Sequence, residues 1–144
     1  MKSLDTQILV YALNRDCGEH AKARGVLDRL LAEPLEWMLA DQVLFELYRC
    51  LRHPRILTNP LPPAEASARV RFLAEQSGCR RCGWEHAFWP KVAPHLERDD
   101  FPHRRTFDLV LGITLRAHGV TEFHTRNTRD FSDLGFARLV NPID

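Results

Sequence analysis

An α/β fold, in which helices cover a short sheet, is predicted by three features of the sequence. Short apolar segments alternate with longer segments whose apolar residues recur at helical spacing. The chain has 144 residues, 44% of them hydrophobic, which is enough for one compact domain with a real core. No internal repeat, low-complexity tract or linker divides it. We therefore predict one layered α/β domain over residues 1–144.

The first half of the chain predicts two strand–helix units. The segment "KSLDTQ" is typical of a short strand, which we expect to end at Asp5, and apolar residues at helical spacing follow from Ile8 to Leu13. An amphipathic helix is predicted for "GEHAKARGVLDRLLAE". A second strand is predicted for "EWMLA", and "DQVLFELYRCLRHP" predicts a helix that begins at Asp41 and is closed by Pro54.

The second half predicts further helices and two further strands. Residues 64–77 show a helical pattern that Pro63 can start, whereas residues 78–102 have weak periodicity and are predicted as helix and loop. A helix is predicted from about Thr106 to His118, with Gly119 as its C-terminal stop. The segments "VTEFHT" and "ARLVNP" predict the last two strands.

The expected location is the cytoplasm, with no membrane partner. No apolar run approaches the roughly 18 residues of a membrane span, and the N-terminus lacks the basic region and apolar core of a signal peptide. The cysteines show no disulfide-framework spacing, so we expect free thiols at all four positions. These are Cys17, Cys50, Cys79 and Cys82.

The basic residues are distinctive in kind rather than in number. The formal net charge of +1 is too close to zero to indicate a nucleic-acid-binding protein by itself. However, 17 of the 20 basic residues are Arg, whose planar fork fits phosphate oxygens better than the ammonium group of Lys. A bias toward GC-rich codons would produce the same excess of Arg, so both explanations stay open.

Four acidic residues are predicted to meet at one edge of the sheet. In an open sheet of parallel strands, the ligand site lies beyond the carboxyl ends of the strands. Asp5 ends the first strand, Asp130 follows "VTEFHT", and Glu46 and Asp108 lie on predicted helices. Carboxylates brought together repel each other unless a cation joins them, and oxygen ligands alone favour Mg²⁺ or Mn²⁺. The chemistry typical of such a site is metal-assisted hydrolysis of a phosphodiester.

Each of these acids also has an ordinary explanation. Asp5 could cap the helix that follows it, and the helix dipole favours Asp108 in a first helical turn. Glu46 could be a solvated helix position, and Asp130 could be a turn residue. The joint interpretation is favoured because Asp5 and Asp108 lie in apolar sequence, where an unpaired carboxylate would cost a few kcal/mol.

The same residues lie in four motifs through which the chain resembles the PIN domains of VapC-like toxin ribonucleases. The resemblance covers nearly the whole chain. Asp5 and Thr6 match the opening strand and helix in "LDTQILVYAL", and Glu46 matches the helix in "QVLFELYRCLRHP". Asp108 matches the acid that opens the apolar helix "FDLVLGITLRAHGV". The C-terminal motif "TRNTRDF" supplies Thr125, Asn127 and Asp130.

The resemblance implies a PIN-like three-layer fold, with a short central, mainly parallel sheet flanked by helices. It also implies a Mg²⁺- or Mn²⁺-dependent endoribonuclease, the toxin of a toxin–antitoxin pair. Such a toxin is usually a homodimer, and a small antitoxin inhibits it by covering the acidic site with its C-terminal segment.

The resemblance also assigns roles to individual residues. Asp5, Glu46 and Asp108 would hold the ion. Many relatives carry Asp at the position of Asn127, but we rank Asp130 above Asn127 as the fourth acid because a charged oxygen neutralises a cation better. Thr6, Thr125 and Asn127 would support the site. Candidates for holding the RNA backbone, each of which could instead be solvated, are Arg49, Arg52, Arg104, Arg105, Arg126 and Arg129.

The sequence also allows other kinds of site and function. Cys79 and Cys82, with His86 after them, have the spacing of a zinc half-site, although no second half-site is evident. The domain could also be catalytically silent and bind only RNA or an antitoxin, or it could use one Asp as a phosphotransfer nucleophile, which would normally need a nearby Lys. The histidines show no spacing that suggests a metal-independent ribonuclease. Side chains that could stack on RNA bases, or instead fill a core or a dimer contact, are Trp84, Phe88, Trp89 and Phe101.

Overall fold

Five short parallel strands form the centre of the protein, and the computed structural model describes all residues, 1–144. One sheet has the order β1-β4-β5, and the other pairs β2 with β3. A parallel bridge between Lys2 and Trp37, and a 2.7 Å hydrogen bond from Ser3 Oγ to the Met38 carbonyl, join β1 to β2. The strands are β1 (Lys2–Leu4), β2 (Met38–Ala40), β3 (Arg80–Cys82), β4 (Glu122–His124) and β5 (Arg138–Val140).

Six α-helices flank these strands. They are α1 (Thr6–Leu13), α2 (His20–Ala32), α3 (Asp41–Leu51), α4 (Pro63–Arg71), α5 (Trp89–Leu96) and α6 (Thr106–Ala117). A π-helical turn over Phe72–Gln76 continues α4, and single 3₁₀ turns lie at Pro34–Glu36, His86–Phe88, His103–Arg105 and Thr128–Phe131. None of the helices has the length and apolar character needed to cross a membrane.

The predicted fold class, a short parallel sheet flanked by helices, is confirmed. The four strands expected from the sequence are β1, β2, β4 and β5, and β1 ends at Leu4, one residue before the predicted Asp5. The helix expected from Thr106 is α6, which ends at Ala117. Gly119 follows with a φ of +87°, a conformation that favours glycine over other residues and stops the helix.

The prediction of only helix and loop between residues 78 and 102 was wrong, because Arg80–Cys82 form the strand β3. Arg80 and Arg81 are exposed and only Cys82 is buried, so the segment lacks the apolar pattern that identifies a buried strand. Pairing with β2, in which Leu39 lies opposite Arg81, stabilises it instead. The helix expected in this segment is present as α5.

The register of β1 against β4 decides where the acids lie. Leu4 pairs with His124, so the next residues, Asp5 and Thr125, leave the sheet side by side at its carboxyl edge. The backbone N–H of Asp5 still donates to the His124 carbonyl at 2.9 Å, which extends the ladder by one residue. Beneath this edge, Leu4 and Phe123 are fully buried in the hydrophobic core. The edge therefore rests on a rigid part of the fold.

Candidate active site

Asp5 lies between β1 and α1 and points toward the neighbouring strand. It occupies the N-cap position of α1, yet its side chain makes no capping hydrogen bond. Instead, Thr125 Oγ1 donates to Asp5 Oδ2 at 2.9 Å, from a side chain that is fully buried. Burial raises the pKa of Asp5, and the negative charge of Glu46 adds to this, while the hydrogen bond from Thr125 opposes it. The backbone N–H groups of Thr6 and Gln7 also lower the pKa of Asp5, so this carboxylate interacts with the start of α1 as well as with Thr125.

Glu46 is oriented by two side chains from different elements. Thr6 Oγ1 donates to Glu46 Oε2 at 2.9 Å, and Gln42 Nε2 donates to Glu46 Oε1 at 3.2 Å. Thr6 is buried in the first turn of α1, whereas Gln42 lies one helical turn before Glu46 on α3. Glu46 is therefore held in one orientation, which a purely solvated helix position would not require.

Asp108, in the first turn of α6, is the acid whose charge is least compensated. It is half-buried, and no protein donor makes a hydrogen bond or ion pair with its side chain. Burial, followed by the charges of Asp5, Asp130 and Glu46, raises its pKa to about 6, with Arg105 opposing. The three other predicted acids therefore lie close enough to Asp108 to repel its negative charge.

Asp130 differs from the other acids because protein groups already compensate its charge. It is only 4% exposed, and its Oδ2 accepts hydrogen bonds from Arg104 Nη1 at 2.9 Å and from the Asn127 amide. Arg105 donates to the Asp130 backbone carbonyl. Burial alone would raise the pKa of Asp130, but the hydrogen bonds from Asn127 and Arg104 outweigh it and lower the pKa. Asn127 is exposed and contacts this carboxylate rather than Asp5 or Asp108.

The donor set of the site consists of carboxylate oxygens. No three His, Cys, Asp or Glu side chains are already arranged as a metal-ligand set anywhere in the structure. Glu46 is instead bonded to Thr6 and Gln42, and Asp130 is bonded to Arg104 and Asn127. Asp108 has no protein partner and Asp5 lies near it, both half-buried, and this pair fits a divalent cation because a cation would relieve their repulsion. The possible zinc half-site at Cys79 and Cys82 gains no support.

The six candidate arginines fall into two groups. Arg105 is nearly enclosed and bonds to Asp133 at 2.8 Å, and Arg52 contacts the Tyr48 hydroxyl at 3.3 Å. Arg126 donates to three partners, which are the Tyr11 hydroxyl, Glu19 and Asp144. By contrast, Arg49 and Arg129 are exposed without side-chain partners, and Arg104 is 66% exposed although it bonds to Asp130. The arginines exposed enough to reach a substrate are therefore Arg49, Arg104 and Arg129, together with Arg52, whose only contact is with an uncharged hydroxyl.

A groove of about 670 Å³ opens between α3 and α6, beside Glu46. Its lining includes Gln42, Phe45, Glu46, Arg49, Trp84 and Phe107. The Phe45 and Phe107 side chains are among the most exposed large apolar residues of the chain, at 74% and 70%. Gln42, Phe45 and Phe107 were not predicted as site residues, although the spacing of four residues between Gln42 and Glu46 was a usable signal.

The aromatic residues near α5 have different environments. Phe88 is buried in the core and contacts Trp84 edge-on, with ring centroids 5.7 Å apart. Trp89 is 58% exposed, and Phe101 is half-buried against the guanidinium of Arg105. Core packing therefore explains Phe88, and Trp84 and Trp89 are the aromatic side chains of this set that solvent reaches most.

The sequence profile of the PIN domain matches residues 3–137. The chain belongs to the PIN-domain family. Ribonuclease VapC24 from Mycobacterium tuberculosis is 40% identical to this PIN domain over 151 aligned residues, which cover 99% of this chain and 97% of that protein. The predicted resemblance to VapC-like proteins is thereby confirmed.

Solved structures show the same fold. The crystal structure of VapC20 from Mycobacterium tuberculosis, described as a sarcin–ricin loop cleaving toxin, has a TM-score of 0.69 with this PIN domain at 20% identity. The alignment covers 94% of this chain and 96% of that chain. FitAcB from Neisseria gonorrhoeae has a TM-score of 0.62 at 17% identity, over 99% of this chain and 98% of that chain.

Proposed function

We propose that this PIN domain is a divalent-metal-dependent endoribonuclease and the toxin of a toxin–antitoxin pair. The observation on which the proposal rests is the half-buried carboxylate of Asp108, which has no protein partner and whose pKa is raised to about 6 by burial and three neighbouring acids. The similarity to VapC24, a named ribonuclease, and to VapC20, a named toxin, supports this activity.

In this proposal Asp5, Glu46 and Asp108 hold the cation, and Asp130 completes the acid cluster and holds Arg104 beside it. Oxygen donors without His or Cys favour Mg²⁺ or Mn²⁺. When bound, the cation supplies Lewis-acid activation of water and stabilises charge on the phosphate oxygens. Thr125 and Thr6 fix the directions of the Asp5 and Glu46 carboxylates, so these acids are oriented before substrate arrives.

In this proposal, exposed arginines near the acids attract RNA to the site. Arg104 is held next to the acid cluster by its bond to Asp130, and Arg49 lines the groove beside Glu46. Both guanidinium groups can therefore contact the phosphates that flank the scissile bond. Arg129 is exposed on the 3₁₀ turn that includes Asp130 and adds a third positive charge to Arg49 and Arg104.

The proposal includes two protein partners, a small antitoxin and a second copy of the chain. The similarity to VapC20, which is described as a toxin, supports the proposal that this chain has an antitoxin. The exposed rings of Phe45 and Phe107 support a protein contact near the site, because contiguous apolar surface of this kind is commonly covered by a partner. Size-exclusion chromatography with light scattering measures the oligomeric state directly.

The alternative functions are less well supported. The three lysines that could assist an aspartyl nucleophile are engaged elsewhere: Lys2 with Glu36, Lys22 with the Ile143 carbonyl, and Lys91 above the Phe88 ring. A catalytically silent domain would have no need for the poorly compensated charge of Asp108, whose ionisation destabilises the fold.

Cleavage assays test the activity. The purified chain, freed of any co-purified protein, is incubated with total RNA and Mg²⁺ or Mn²⁺, with and without EDTA, and the product ends are mapped. We expect cleavage that EDTA abolishes, that leaves 5′-phosphate ends, and that Asp108→Asn removes while Asp28→Asn, at an exposed acid on α2, retains it. Cleavage that persists in EDTA and leaves cyclic phosphate would contradict the mechanism.

A further inference from the structure

We propose that Gln42 is a positioning residue that sets the placement of Glu46 relative to Asp108. This inference rests on the proposed function, because it concerns how two acids of the metal site are held. Gln42 Nε2 donates to Glu46 Oε1 at 3.2 Å and to the backbone carbonyl of Phe107 at 3.0 Å. Phe107 is the residue before Asp108, so one amide group contacts one acid and the backbone beside another.

The chemistry of the amide suits this position. Its nitrogen has two hydrogens, so both contacts can form at once, and both neighbours are acceptors, which fixes the nitrogen rather than the oxygen of Gln42 in this place. Thr6 binds the other oxygen of Glu46 at 2.9 Å. The two oxygens of Glu46 are thus directed by donors from α1 and from α3.

The hydrogen bond from Gln42 to the Phe107 carbonyl links α3 to α6 near the site, where no other side-chain hydrogen bond sets the distance between these helices. It is the only side-chain hydrogen bond between α3 and α6 in the structure. The groove lies between these helices, so side-chain packing does not close the space beside Glu46. Loss of the amide would leave Glu46 and the first turn of α6 free to move relative to each other.

The charge of the residue matters as much as its length. A Lys at this position would form an ion pair with Glu46 and compete with a cation, and a Glu would add a further negative charge to the acid cluster. Because Gln42 is uncharged, it orients Glu46 and leaves the negative charge of Glu46 available to a cation. Methionine has nearly the same length and no donor, so Gln42→Met removes the hydrogen bonds with little change in volume.

The test measures Mn²⁺ binding by calorimetry and by electron paramagnetic resonance, in the absence of RNA. We expect Gln42→Met to weaken Mn²⁺ binding by about 10-fold, within the range typical for residues that orient metal ligands. In cleavage assays kcat should fall while KM for RNA stays within about twofold. The matched control is Gln76→Met, at an exposed Gln in the π-helical turn after α4, which should change neither quantity.

A double-mutant cycle separates positioning from a general loss of structure. In a Glu46→Gln background, Gln42→Met should have no further effect on Mn²⁺ binding, because the carboxylate that Gln42 orients is absent. Equal Mn²⁺ affinity in the wild type and Gln42→Met, or additive effects in the cycle, would overturn the role of Gln42. If the wild type itself binds no Mn²⁺, the proposed function fails instead.

Discussion

Thr125 Oγ1 donates to Asp5 Oδ2 across 2.9 Å and thereby joins the carboxyl ends of β1 and β4. The same Thr125 oxygen accepts the backbone N–H of Asn127 at 3.0 Å, so it also shapes the turn that leads to Asp130. One buried hydroxyl therefore organises the first acid and the C-terminal motif together.

Replacement of Thr125 tests this relationship. Thr125→Val keeps the shape of the side chain but leaves Asp5 and the Asn127 amide without their partner, so the free energy of unfolding should fall by about 1–3 kcal/mol. Thr125→Ser retains the hydroxyl and should lose less than half of that amount. Urea denaturation of both variants measures the difference, and equal losses would show that the methyl group, rather than the hydroxyl, provides the stability.

Asp108 should make the stability of the metal-free protein depend on pH. Its pKa is raised from 3.8 to about 6, so the folded state favours the protonated acid. This stabilising contribution is complete below about pH 4 and is lost as the pH rises through about 6, at a cost of at most about 3 kcal/mol. In EDTA, Asp108→Asn should therefore be more stable than the wild type at pH 7.5, and the gain should shrink toward pH 4.5.

The matched control for this titration is Asp28→Asn, which should follow the wild type at both pH values because Asp28 is exposed on α2. Saturating Mn²⁺ should reverse the order of stability at pH 7.5, because only the wild type has the full ligand set. An Asp108→Asn variant that is no more stable than the wild type in EDTA would contradict the predicted repulsion.

Asp130 and Asn127 compete for the fourth position of the site. Hydrogen bonds lower the pKa of Asp130, so it stays ionised and holds Arg104 beside the other acids. Asp130→Asn should therefore lose RNA cleavage, whereas Asn127→Ala should keep much of it. Thermal unfolding checks that both variants are folded, since Asp130 is buried. Loss of cleavage in Asn127→Ala alone would transfer the role to Asn127.

The adjacent residues Arg104 and Arg105 should have separable effects. Arg105→Ala should lower the free energy of unfolding by about 2 kcal/mol, because the nearly enclosed guanidinium bonds to Asp133 and to the Asp130 carbonyl. Arg104→Ala should cost less stability, because Arg104 is 66% exposed and Asn127 still donates to Asp130. It should weaken RNA binding and lower the slope of log binding constant against log salt concentration by about one.

RNA binding in EDTA at several salt concentrations measures the effect of Arg104→Ala, and Arg55→Ala, at an exposed arginine, is the control. The same salt dependence in Arg104→Ala and the wild type would exclude a phosphate contact.

Features that are set by neighbouring residues could be predicted from the sequence, whereas features that are set by residues distant in sequence could not. Asp5 and Asp108 could be identified because a carboxylate inside an apolar segment is a local signal. The strand β3 could not, because Arg80 and Arg81 are polar and only pairing with β2 makes them a strand. Arg126 likewise could not be separated from Arg104, since its partners Tyr11, Glu19 and Asp144 are distant in sequence.

The position of β1 in the sheet has a consequence for synthesis of the protein. The first strand of the chain lies between β2 and a strand that begins at Glu122, so the bond between Thr125 and Asp5 spans 120 residues of sequence. During translation, the ribosome must release almost the entire polypeptide before Asp5 can meet Thr125. A chain that ends between Asp108 and Glu122 therefore contains three of the four acids, but it lacks β4 and Thr125 and cannot form the edge of the sheet that places Asp5.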